Sequence, residues 1–174
     1  NFVASAAKWT VGSAEPVVVE QVRWYQAGSA GTADVKNIRV VVKGVDYPAE
    51  VSSDGRYYVA RLGASVEVDK GGSIEVAVKM DIESGSDRTV NMDLQRRTYV
   101  VVKGKTYGYY ITPANGSADD DSTKNEGEFL NVEPYYDGFS HTIAKGTLRL
   151  EKSNTVSAGN VPVDVSNTSL GAFV

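Results

Sequence analysis

The sequence predicts an all-β protein built as an antiparallel sandwich, and three observations carry that expectation. β-Branched and aromatic residues recur in short runs, Gly, Asn, Asp and Ser punctuate those runs, and helical periodicity is almost missing. Many short strands without intervening helices are the signature of sheet packed on sheet, in an immunoglobulin-like or jelly-roll-like arrangement.

Taken in order, residues 1–11 open the chain as a strand-like segment, with Phe2, Ala4 and Ala6 on one face. Strands are expected at 17–25 and 38–43, with shorter ones at 57–60 and 66–68. Residues 73–82 alternate best: Ile74, Val76, Val78, Met80 and Ile82 share one face, against Glu75, Lys79 and Asp81 on the other. That is how a half-buried strand reads. A bent strand is expected over 88–102, and others at 106–112, 129–132, 147–150 and 161–165. Ile38, Val40, Val42, Ile74, Val76, Val78, Leu148 and Leu150 are the expected inward set, because a slip of one residue would expose all of them. Turns fall at Ser53-Asp54-Gly55, Lys70-Gly71-Gly72, Lys103-Gly104-Lys105 and Asp137-Gly138. Residues 27–34 and 113–127 are the expected irregular segments.

With 174 residues the chain fits one domain, 1–174, better than two minimal ones. A net charge of −4 and the lack of a basic stripe argue against a nucleic-acid partner, since phosphate neutralisation needs clustered Lys and Arg. The absence of cysteine excludes disulfides, thiolate metal sites and cysteine nucleophiles, and leans towards an exterior location. No apolar run is long enough to span a bilayer as a helix. The strand-like ends, Asn1-Phe2-Val3 and Leu170-Gly171-Ala172-Phe173-Val174, suggest a processed chain or a piece of a longer one.

Little points to catalysis. His141, the lone histidine, directly follows Ser140, and neighbours on a strand face opposite ways. Gly71-Gly72 opens no helix, so no phosphate loop is present. The expectation is therefore of a non-enzyme without an organic cofactor. Asp119, Asp120 and Asp121, with Glu126, form the one dense acidic cluster, and calcium is the ion it would suit. The spacing lacks the alternate ligands of a helix–loop–helix calcium loop, and a solvated acidic hairpin tip explains it as well. Asn115 and Asn167 each begin an N-glycosylation acceptor triplet. Tyrosines cluster at Tyr57-Tyr58, Tyr107 with Tyr109-Tyr110, and Tyr135-Tyr136, where outward rings could stack on surface glycans or line a protein contact.

The order of segments carries a resemblance. Glu15-Pro16-Val17-Val18-Val19-Glu20 precedes Asn37-Ile38-Arg39-Val40-Val41-Val42-Lys43-Gly44, then Val66-Glu67-Val68 and Lys70-Gly71-Gly72. The 73–82 strand follows, and later Gly146-Thr147-Leu148-Arg149-Leu150, Ser157-Ala158-Gly159-Asn160-Val161 and Leu170-Gly171-Ala172-Phe173. This pattern resembles the β-sandwich module of bacterial and archaeal cell-surface, S-layer-like proteins. It is also similar to subunits of extracellular sandwich filaments: archaeal cannula and bundling-pilus proteins, and camelysin-like biofilm fibres. The resemblance implies an extracellular structural subunit that joins copies of itself when a terminal strand completes a neighbour's sheet. Phe2, Val3, Ala4 and Ala6, or Leu170, Ala172, Phe173 and Val174, would then make the subunit contact. A surface adhesin or carbohydrate-binding module is the alternative expectation.

Overall fold

A computed structural model describes residues 1–114 and 126–151. The chain divides into a large unit, Asn1–Ala144, and a small one, Lys145–Val174. The regular secondary structure of the described residues is nearly all antiparallel β, in a curled, sandwich-like sheet, as the sequence predicts.

The strands are β1 (Phe2–Thr10), β2 (Val17–Gln26), β3 (Val35–Val42), β4 (Val45–Val51), β5 (Tyr57–Arg61), β6 (Glu67–Val68), β7 (Ser73–Ile82), β8 (Thr89–Val90), β9 (Met92–Asp93), β10 (Val100–Gly104), β11 (Tyr110–Ile111) and β12 (His141–Thr142). Along the main sheet the order is β1-β7-β3-β4-β5-β2-β10-β11, with β6 and β9 also pairing β2, while β12 and β8 form a separate pair. The sheet turns its corner within β4. Residues 45–48 of β4 pair with β3, and residues 49–51 pair with β5. One strand thus belongs to both layers, and the inner faces close on a shared core around Val22, Trp24, Val40, Val42, Tyr58, Val76, Val78 and Met80.

Bulges set which side chains face that core. In β2, Val17 and Val19 point in, then Val22, Trp24 and Gln26 do; the phase changes where the pairing with β10 shifts between Val101 and Val102. In β3 the shift lies between Lys36 and Arg39, with Asn37 at φ 51°. Val40 and Val42 are buried as expected, while Ile38, next to that irregularity, is half-buried. In β1 the pairing with β7 shifts between Val3 and Ser5. The extra residue reverses the expected alternation beyond it: Ala4 and Ala7 are buried, and Ala6 is exposed.

Other expectations need correction. Leu148 and Leu150 are not inward but 86% and 71% exposed, and no strand runs through residues 145–151. Residues 88–102 are not one bent strand: β8, β9, a 3-10 turn at Arg97–Tyr99 and β10 divide them. Of 106–112 only Tyr110–Ile111 is strand, and of 129–132 only a bridge from Phe129 to Tyr136 remains. The 161–165 strand lies outside the described residues.

The irregular segment at 27–34 is held by one buried carboxylate. Asp34 accepts from Gly31 N–H (2.8 Å), Ser84 Oγ (2.7 Å) and the Arg88 guanidinium (2.6 Å). Those donors, with the Gly31 N–H contributing most, hold its pKa down to about 2. Gly85, at φ 91°, leaves the space that Asp34 fills, since a Cβ there would lie 2.8 Å from the Asp34 carboxyl carbon.

Candidate functional site

Among the described residues the curled sheet does not close into a ring of pairings. In the strand order β1 ends one side, and on the other β10 pairs outward with the short β11 at Val102 and Lys103, while Gly104 N–H donates to the Tyr109 carbonyl (2.9 Å). Between these sides an apolar groove of about 820 Å3 opens into the core. Trp9 and Ile74, from the end of β1 and the start of β7, form one wall. Val17, Val19, Val100 and Val102, from β2 and β10, form the other, and Leu94, Phe129, Leu130 and Tyr135 also line it.

These linings follow from local chemistry. The start of β2 and β10 are Val-rich, and their inward phase, set by the shift at Val101/Val102, turns Val17, Val19 and Val100 to the interior. The 129–136 segment forms an aromatic cluster. Phe129 packs on Tyr135 and Tyr136 with ring centroids 5.2 and 4.7 Å apart, and Tyr136 meets the edge of Trp24 at 6.2 Å. Burial pushes the Tyr135 phenol up, against the pull of the Arg97 guanidinium 5.3 Å from its ring, so Tyr135 is a neutral wall at physiological pH. At the groove's margin the Glu15 carboxylate accepts from the backbone N–H groups of Thr106 (2.8 Å) and Tyr107 (3.0 Å), fixing the turn between β10 and β11. Gly104 permits this, because a Cβ there would strike the Glu15 carboxylate at 2.3 Å.

A cavity with these walls can bury apolar side chains. Its open sides can also present backbone N–H and C=O groups to an incoming strand. Beside it the β10–β11 turn carries exposed tyrosines: Tyr107, Tyr109 and Tyr110 are 67%, 77% and 67% exposed. The expected one-in, one-out arrangement holds for Tyr57 and Tyr58 but not for Tyr135 and Tyr136, both buried because their segment is not a strand. His141 is half-buried with its ring edge-on to Phe2 at 5.0 Å.

The expected contact residues divide. Phe2, Val3, Ala4 and Ala6 lie in β1, which pairs with this chain's own β7 from Phe2↔Met80 to Thr10↔Ser73. The expectation that this strand is offered to a neighbour does not match its place here, where Ala4 and Ala7 are core and Trp9 walls the groove. Leu170, Ala172, Phe173 and Val174 lie outside the described residues, as do Asn115, Asn167, Asp119, Asp120 and Asp121; Glu126 is exposed. Among the described residues no group of three or more His, Cys, Asp or Glu could hold a metal ion.

No sequence pattern announces the groove. Its lining comes from segments far apart in the chain, and only the fold brings them together. No protein-family model, curated protein or solved structure matches this chain.

Proposed function

We propose that this chain is a structural subunit of an extracellular filament, pilus-like fibre or surface layer, joined to its copies by β-strand complementation. The observation that carries this reading is the apolar groove between β1, which ends the strand order of the described residues on one side, and β10, which the short β11 flanks on the other. A concave apolar surface of this size is costly to leave in water and marks an interaction site. A strand from another copy would place alternate side chains in the groove and satisfy the exposed backbone rows at once. Each such contact is head-to-tail, so repetition gives an open fibre unless the rotation closes a ring.

Electron microscopy and light scattering of the full chain test the reading, with Val102→Trp as the blocked-groove control. Fibres or layers are expected from the natural chain. The control should give dispersed single chains with an unchanged far-ultraviolet spectrum. Equal assembly by both, or none by the natural chain under any condition, refutes groove-mediated joining. The exposed tyrosines favour a second reading, a glycan-binding surface module; saturable oligosaccharide binding lost in Tyr109→Ala would support it.

A further inference from the structure

We propose that the outer face of β2 and β5 carries a binding site for an acidic polysaccharide, in which the Arg23 guanidinium receives a uronate carboxylate among three tyrosine rings. This face is separate from the groove, and the inference does not depend on how copies join. Alternation makes the site. Val22, Trp24 and Tyr58 turn to the core, so Arg23 and Tyr25 of β2 and Tyr57 of β5 turn the other way. Tyr25 pairs across the ladder with Tyr57, ring centroids 5.0 Å apart, and the 3-10 turn at Arg97–Tyr99 brings Tyr99 edge-on to Tyr57 at 6.0 Å. Arg23 lies against both of these rings, its Cζ 4.0 Å from the Tyr57 centroid and 4.9 Å from that of Tyr99. Arg23 and the three tyrosines are half-buried, so each still meets solvent.

What this stack lacks is an anion. Among the described residues no carboxylate pairs with Arg23, and its buried Nε has no hydrogen-bond partner. The Asp54 carboxylate is already held by the Ser52 hydroxyl and the Arg56 N–H (3.0 Å); these lower its pKa most, and Arg23 adds the smallest pull. A guanidinium stacked on rings uses its face and leaves the edge of its fork for a carboxylate. Partial removal from water strengthens that pairing. Tyrosine rings offer sugar C–H faces an apolar surface and their phenols a hydrogen bond to hydroxyls, and Gln21, in the same phase of β2, adds an amide. A peptide is the poorer fit. β5 lies between β4 and β2, and β2 between β5 and β10, so neither offers an edge to which a strand could add. With a net charge of −4 the chain as a whole repels polyanions, so binding depends on this local cation.

Calorimetric titration of the full chain tests the site with a galacturonic acid tetramer, the matching neutral galactose tetramer and tetraglutamate. The uronate should bind at least about tenfold more tightly than either of the others, and its affinity should fall with added salt. Arg23→Gln should weaken it by about tenfold or more and Arg23→Lys by about fivefold, because lysine keeps the charge but loses the planar fork. Circular dichroism confirms that each variant is folded; if Arg23→Gln does not fold, Arg23→Lys and the neutral probe carry the test. Equal binding of the neutral tetramer overturns the role of the carboxylate, and equal binding of tetraglutamate overturns the sugar. Unchanged uronate binding by folded Arg23→Gln, loss in Tyr109→Ala alone, or no uronate binding by the natural chain overturns the site itself.

Discussion

An Asp placed at Ala6 or Ala7 measures the bulge in β1 directly. Alternation from Ala4 would put Ala6 inside, whereas the shift between Val3 and Ser5 puts Ala7 inside and Ala6 in solvent. Ala7→Asp forces a carboxyl into the core, where it folds protonated. Keeping neutral a group whose ordinary pKa is about 3.9 costs about 1.4 kcal/mol per pH unit, or about 4 kcal/mol at pH 7. For a unit of this size that is a fall of about 8–16 °C in Tm. Ala6→Asp, on the exposed phase, should stay within about 0.5 kcal/mol of the natural chain. The raised folded-state pKa fixes the sign of the pH dependence. Below pH 4 both states are protonated and only the cost of burying a neutral carboxyl remains; above it the unfolded state ionises and the Ala7→Asp penalty grows with pH. Thermal melts at pH 4, 5, 6 and 7 read the whole series. A larger loss from Ala6→Asp than from Ala7→Asp, or a penalty that does not grow with pH, refutes the bulged register.

Two further outcomes test the core and its polar clamp. Trp24→Ala removes a fully buried ring that Tyr136 meets edge-on, and should cost about 3–5 kcal/mol in denaturant unfolding, with loss of near-ultraviolet dichroism. Asp34→Asn should destabilise the chain at neutral pH. Because the Asp34 pKa is depressed to about 2, its contribution is present above the unfolded value near 4 and fades as pH falls through 2, so the gap between the two melts should close across that window.

How much of this was legible follows from particular residues. β7 matches its expected bounds because Ile74, Val76, Val78 and Met80 alternate without interruption, and β2 is nearly as clear. β4 is hard to read because Asp46, Pro48 and Glu50 interrupt it; only Tyr47 and Ala49 of its apolar phase pack on the core, while Val45 and Val51 at its ends are exposed. The bulges leave no mark in composition: Ala4, Ser5, Ala6 and Ala7 are all small, and only pairing with β7 decides which face inward. Leu148 and Leu150 show the opposite failure, since their alternation predicts an inward strand where the structure has none and leaves both exposed. The groove is illegible because its walls come from residues as far apart as Trp9, Val102 and Tyr135, which only the pairing of the strands brings together.

The corner in β4 has a mechanical consequence. Two layers that share one strand, and part at their opposite margin, behave like a book with β4 as its spine and the groove along the open page edges. The spine is covalent backbone, its first half laddered to one page and its second half to the other, so opening the pages bends it at their junction instead of breaking pairs. A small change of angle there becomes the widest displacement at the groove. Stiffness of the mouth is thus set on the far side of the molecule, and a substitution at the β4 corner would tune how far the groove yields under load without touching its walls.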